Sequence, residues 1–141
     1  MTLPMILAPL FVQVLMTFVI GFLLAGVRTP LLTSGEVRPE AISLRQPNWP
    51  PRALQFGYSF QNQFELPLLF YVLTILAMIT KHADLLFVVL AWVFVLSRLA
   101  HAYVHVTSNN LRFRGMFFAI GALVLAIMWL IFIVKIMLGL P

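Results

Sequence analysis

Four apolar runs, each long enough to cross a lipid bilayer, divide this sequence, and all of its charge but Glu65 and Arg98 lies between them or near their ends. A hydrocarbon core of about 30 Å takes about 20 helical residues. The runs fall at about 3–27, 52–80, 83–106 and 111–138. Lipid offers the backbone no hydrogen-bond partner, so each run must satisfy itself as a helix. Charged residues are only 9% of the 141 positions and mean hydropathy is +1.04, whereas a soluble domain carries about a quarter charged residues. The fold class is therefore all-α, an integral membrane antiparallel four-helix bundle, with residues 1–141 as a single domain.

No Lys or Arg precedes Arg28, and the first run is longer than a signal-peptide core, so it is expected to be a retained span. Arg28 to Arg52 is the one long polar connection, rich in proline and mixed charge, which suits a loop outside the hydrocarbon. The absence of cysteine excludes disulfides, thiolate metal sites and a cysteine nucleophile. The net charge of +5 is a topology signal, with no basic-aromatic surface for nucleic acid. Arg28, Arg38, Arg45, Arg52, Arg112 and Arg114 fall on one side and Lys81 and Lys135 on the other. The arginine-rich side is expected to be cytoplasmic, with both termini on the non-cytoplasmic side.

Ionisable groups inside membrane spans are costly and mark functional sites. In the second run Gln55, Tyr58, Asn62 and Glu65 are spaced 3, 4 and 3 apart; in the third, Arg98, His101, His105, Ser108 and Arg112 are spaced 3, 4, 3 and 4. Each set lies on one helical face, and consecutive antiparallel helices bring the two faces together. Counting from the run ends puts Glu65 roughly 8 Å and Arg98 roughly 9 Å below the membrane surface at 1.5 Å per residue. A Glu65–Arg98 ion pair is expected. A clamp between helices accounts for that pair alone; the full polar set points to a water-accessible cavity. His101 and His105 have the spacing of a two-histidine metal edge or half a haem site, but no further ligand accompanies them, so no metal is expected. Arg112 and Arg114 open the fourth helix, where the helix dipole also favours anions. The Met and Phe residues of that helix, Phe118 included, read as lipid-facing or packing.

Asn62-Gln63-Phe64-Glu65-Leu66-Pro67, with Leu69-Phe70-Tyr71, resembles the second-helix signature of the MAPEG family, the membrane-associated proteins in eicosanoid and glutathione metabolism. Arg98-x-x-His101-x-x-x-His105, followed by Arg112 and Arg114, resembles that family's third- and fourth-helix signature. The resemblance, to a bacterial-type member, covers essentially the whole chain. It implies a homotrimer with glutathione as co-substrate, bound between protomers and open to the cytoplasm. Asn62 and Glu65 would hold the peptide's polar end, Arg98 would brace Glu65, and Tyr58, His101 and His105 would line the pocket. Arg112 or Arg114 would stabilise the thiolate, and Arg28 would reach in from the end of helix one. Tyr58 and Gln61 stand where glutathione-using members carry arginines, and His105 where they usually have tyrosine. The implied function is a glutathione-dependent membrane transferase or peroxidase acting on lipophilic electrophiles. The alternative is a non-catalytic lipid- or partner-binding scaffold of the same fold.

Overall fold

The computed structural model describes residues 1–141. It is wholly helical: α1 Leu3–Thr33, α2 Pro39–Ile42, α3 Pro51–Asn62, α4 Leu66–Ile79, α5 Leu85–Val106 and α6 Leu111–Met137. Four helical stretches are long and apolar enough to span a membrane: α1, α3 with α4, α5 and α6. The chain is thus an integral, multi-pass membrane protein built as a four-helix bundle.

Helix α1 runs on past Arg28, where the apolar run ends, to Thr33. A charge ends compatibility with hydrocarbon, but it does not end a helix. Pro30 removes one N–H, yet its carbonyl still accepts from Ser34 N at 2.9 Å. The stop comes at Gly35, whose φ of 81° lies in the left-handed region open to glycine. Ile6, Pro9, Gln13, Met16, Ile20 and Leu24 form the buried stripe of α1, at the spacing of one helical face.

The second span is two helices, where the periodicity predicts one over 52–80. Pro67 has no N–H to offer the Gln63 carbonyl, and its ring crowds that carbonyl. The chain answers by tightening: the N–H groups of Gln63, Phe64 and Glu65 bond three residues back, at 3.0, 3.0 and 3.3 Å. The Gln63 side chain takes up a carbonyl that the break frees, and α1 holds that side chain in place. Gln13 on α1 donates to the Gln63 side-chain oxygen at 2.9 Å, and Gln63 donates to the Ser59 carbonyl at 3.0 Å. All three residues are buried.

Helix α5 is the hub, packed against α1, α3 and α6. Asp84 caps its start by accepting from Phe87 N at 2.9 Å and meets Lys135 of α6 at 2.8 Å. Burial pushes the Asp84 carboxyl up, but its bond to Lys135, the Phe87 N–H and the Lys135 charge outweigh that and hold it below its usual range. Asn110 caps α6 through Arg112 N and Phe113 N. The main core cluster is drawn mainly from α4, α5 and α6 and includes the Phe70 and Phe94 rings, 4.9 Å apart, while a smaller one joins Met16 and Ile20 of α1 to Ala102 of α5. A Cβ at Gly121 would stand 2.8 Å from Ser97 Oγ, so glycine there lets α6 approach α5 without displacing the serine hydroxyl. The outer faces of α1 and α6 carry large exposed apolar residues, among them Phe11, Phe22, Leu123 and Leu130.

Gln63→Leu strands the Gln13 amide in the bundle and should cost about 1–3 kcal/mol. The double variant Gln13→Leu/Gln63→Leu should lose much less than the sum of the two single changes. Denaturation of the purified protein in detergent measures both.

Candidate functional site

At the end of the bundle that carries Arg52, Arg112 and Arg114, a cleft of about 540 Å³ opens between α3, α5 and α6. Tyr58, Gln61 and Asn62 of α3 and Glu65 of the helix break form one wall. His101 and His105 of α5 form the floor, and Leu111, Arg114, Gly115 and Phe118 of α6 form the other wall. The two polar stripes seen in the sequence thus face one space.

Its chemistry is organised from behind by Arg98, which has no exposed surface. The Arg98 Nη2 donates to the Asn62 side-chain oxygen, and again to the Asn62 backbone carbonyl at 3.4 Å. Asn62 in turn donates from Nδ2 to Glu65 Oε2 at 3.3 Å. The expected direct Glu65–Arg98 ion pair is absent; Lys135–Asp84 is the only ion pair in the chain. The reason is the helix break. It carries Glu65 off the face it would share with Asn62 on a continuous helix and leaves its carboxylate exposed at the cleft. Asn62 stands between the charges and is bonded to both. Arg98 Nε and Nη1 are buried and make no bond within the chain.

The histidine rings lie 5.7 Å apart, edge to face, and the His101 ring is 5.9 Å from Phe118. Both residues are largely buried, and neither Nδ1 has a partner within the chain. No group of three His, Asp or Glu side chains is gathered to hold a metal ion.

Arg114 lines the cleft and donates to Asn109 Oδ1 at 2.7 Å. Arg112 is exposed and lies outside it. Residues two apart on a helix point roughly 200° from one another, so only one of the two arginines can face the site. Arg28 lies in a separate cleft across α3, stacked on Trp49. Gln55, the outer member of the α3 stripe, binds the His105 and Thr107 carbonyls at 3.2 and 3.4 Å. It closes the end of α5, assisted by Arg52 on the Val106 carbonyl at 2.6 Å. Of the α6 wall, sequence reasoning named Arg114 but missed Leu111, Gly115 and Phe118. These share a helical face with Arg114, but α6 is apolar nearly all round and the signal is drowned.

Fold and cleft together define a four-span membrane protein with a polar, ionisable site sunk into one end of its bundle. The model of the MAPEG family matches residues 6–134, which include all the residues of the cleft, and the chain belongs to that family. The family is one of glutathione-related transferases and peroxidases. No individual curated protein and no solved structure matches the chain.

Asn62→Leu leaves the Arg98 charge buried without its acceptor and should cost about 3–5 kcal/mol. Adding Arg98→Met should recover most of that loss. Detergent-phase unfolding of the single and double variants measures the difference.

Proposed function

We propose that this protein is a glutathione-dependent membrane transferase or peroxidase acting on lipophilic electrophiles, with glutathione held in the α3–α5–α6 cleft. The observation that carries this reading is the lining itself: one guanidinium, one carboxylate, two amides and two imidazoles around a single space beside apolar walls. The volume lies within the roughly 300–1,000 Å³ typical of small-ligand sites. The donor set fits a zwitterionic peptide: Glu65 suits an ammonium, Arg114 an anionic group, and Asn62 a peptide amide.

Bound glutathione would supply a thiol, which reacts as its thiolate. Arg114 favours that anion electrostatically and so lowers the thiol pKa. Asn62 holds its orientation because Arg98 occupies its carbonyl oxygen, and this fixes the position of Glu65 as well. In transfer, a C–S bond forms at the electrophilic carbon and the leaving group departs with its bonding electrons. In peroxide reduction, the thiolate attacks one peroxide oxygen, the O–O bond breaks and the other oxygen leaves as the alcohol; a second glutathione then displaces water from the sulfenic acid to form the disulfide. Leu111 and Phe118 border the cleft on the membrane-facing helix α6, where a lipophilic partner arrives through the bilayer.

The assembly we propose is a homotrimer, with neighbouring copies covering part of the exposed apolar faces of α1 and α6. The arginine distribution supports a cytoplasmic position for the cleft and a non-cytoplasmic one for both termini.

A second reading is favoured by a specific feature. Tyr58 and Gln61 line the cleft in place of the arginines of glutathione-using members, so Arg114 is the only arginine in its walls. A non-catalytic member binding lipid or a partner has the same scaffold and would raise no thiolate absorbance on adding glutathione.

Calorimetric titration should show glutathione binding at millimolar concentration or below. Arg114→Ala should weaken it by about 10- to 100-fold, the loss of one charge-assisted bond, and Arg112→Ala should weaken it less. Absence of binding at millimolar glutathione, or equal activity after Arg114→Ala, would remove the proposal.

A further inference from the structure

The two histidines on the floor of the functional cleft are not pinned. A buried histidine kept for structure is ordinarily held through one ring nitrogen, and that bond fixes its tautomer. Here His101 and His105 are 3% and 7% exposed, and the Nδ1 of each is buried with no partner in the chain. Orphaned polar atoms of this kind call for an account, and a catalytic role is one. The rings lie 5.7 Å apart, edge to face, and the His101 ring also stands 5.9 Å from Phe118. His105 is one helical turn nearer the end of α5, about 6 Å at 1.5 Å per residue. The pair therefore runs in file from the mouth of the cleft towards its apolar wall.

The other groups around the rings are unsuited to carrying a proton there. Tyr58 and Glu65 of the second span and Arg114 of α6 face them, and Arg98 lies behind on their own helix. Tyr58 is half exposed. Arginine does not give up its proton in proteins, Glu65 is the group suited to an ammonium, and the amides of Gln61 and Asn62 do not titrate. Imidazole both accepts and returns a proton near neutral pH.

We infer that His105 and His101 carry the proton of the glutathione thiol to the oxygen that leaves the electrophile, with His101 donating it beside Phe118. The inference rests on the glutathione chemistry proposed above. As the thiol ionises, its proton charges an imidazole. The thiolate sulfur then bonds to the terminal oxygen of a hydroperoxide and the O–O bond breaks. The bonding electrons go to the inner oxygen, which takes the proton from His101 and leaves as the alcohol. His101 is left neutral, and His105 recharges it directly or across one water. An alkoxide is a strongly basic leaving group and gains most from such a donor. A chloride leaves as the anion and needs no proton. The cleft is thus furnished for electrophiles that leave through oxygen.

Turnover of glutathione with cumene hydroperoxide and with chlorodinitrobenzene, by the intact protein in detergent, tests this. Glutamine keeps a polar side chain in place of the imidazole but cannot carry the proton. His101→Gln should slow the hydroperoxide reaction about 100-fold more than the chloride reaction, the scale of one general acid. His105→Gln should show the same bias, to a smaller degree. An equal loss on the two electrophiles in either variant, or no loss, overturns the inference and leaves the glutathione reading standing. A wild type that binds no glutathione removes that reading and this inference with it. Should a variant fail to fold, the wild type in heavy water still decides. Its hydroperoxide turnover should slow more than its chloride turnover, and equal slowing overturns the inference.

Discussion

A guanidinium with no exposed surface sits among helices that face lipid, and the functional end of the bundle is arranged around its need for an acceptor. Arg98 finds that acceptor in Asn62, through both the side-chain and the backbone oxygen. Those oxygens are within reach because the second span breaks immediately after Asn62. On an unbroken helix the Asn62 carbonyl would be committed four residues on; here it accepts from Glu65 N, three residues on, and from Arg98. The opposite flank of the break is held by the Gln13–Gln63 amide bond from α1. A guanidinium from α5 and an amide from α1 therefore grip the same few residues, and this grip aims Asn62 and Glu65 into the cleft.

The cost of this arrangement explains its composition. Burying a charge without a partner is prohibitive in a bilayer, and a single neutral amide is a modest partner for arginine. Glu65 contributes at a distance through Asn62, which keeps its carboxylate exposed at the cleft instead of neutralised inside the protein. A direct ion pair would stabilise Arg98 more but would remove the negative charge from the site. The proposed role of Glu65, holding an ammonium, needs the arrangement observed.

Much of this was legible in the amino-acid order because the bilayer permits so few solutions. Long apolar runs must be helices, and Asp84 and Asn110 sit where such helices need caps. The periodic spacing of Tyr58 and Asn62 and of His101 and His105 put them on facing surfaces, and they share one cleft, which Glu65 reaches from the helix break. Other features depend on neighbours that spacing cannot reveal. Pro67 announces a disturbed helix, but whether it kinks or breaks depends on which groups satisfy the freed carbonyls, and those are the Gln63 side chain and Arg98 of α5. Arg112 and Arg114 are equivalent in composition, and only the rotation of α6 separates them. Phe118 and Gly115 vanish within a helix that is apolar on every side. Arg28 lies across α3 from the cleft of its own chain, over the Trp49 ring, and a place for it in a site between protomers depends on a neighbouring copy that spacing cannot reveal.

The central claim is that water reaches Glu65, well below the surface of the bundle, through a cleft organised by Arg98 and Asn62. The chain has no cysteine, so single cysteines can report on this without interference. Glu65→Cys should react with a charged, membrane-impermeant thiol reagent at least about tenfold faster than Ile75→Cys, which lies on the apolar outer face of the same span, because only a hydrated thiol ionises and reacts. Equal protection of the two positions in the bilayer would contradict the account.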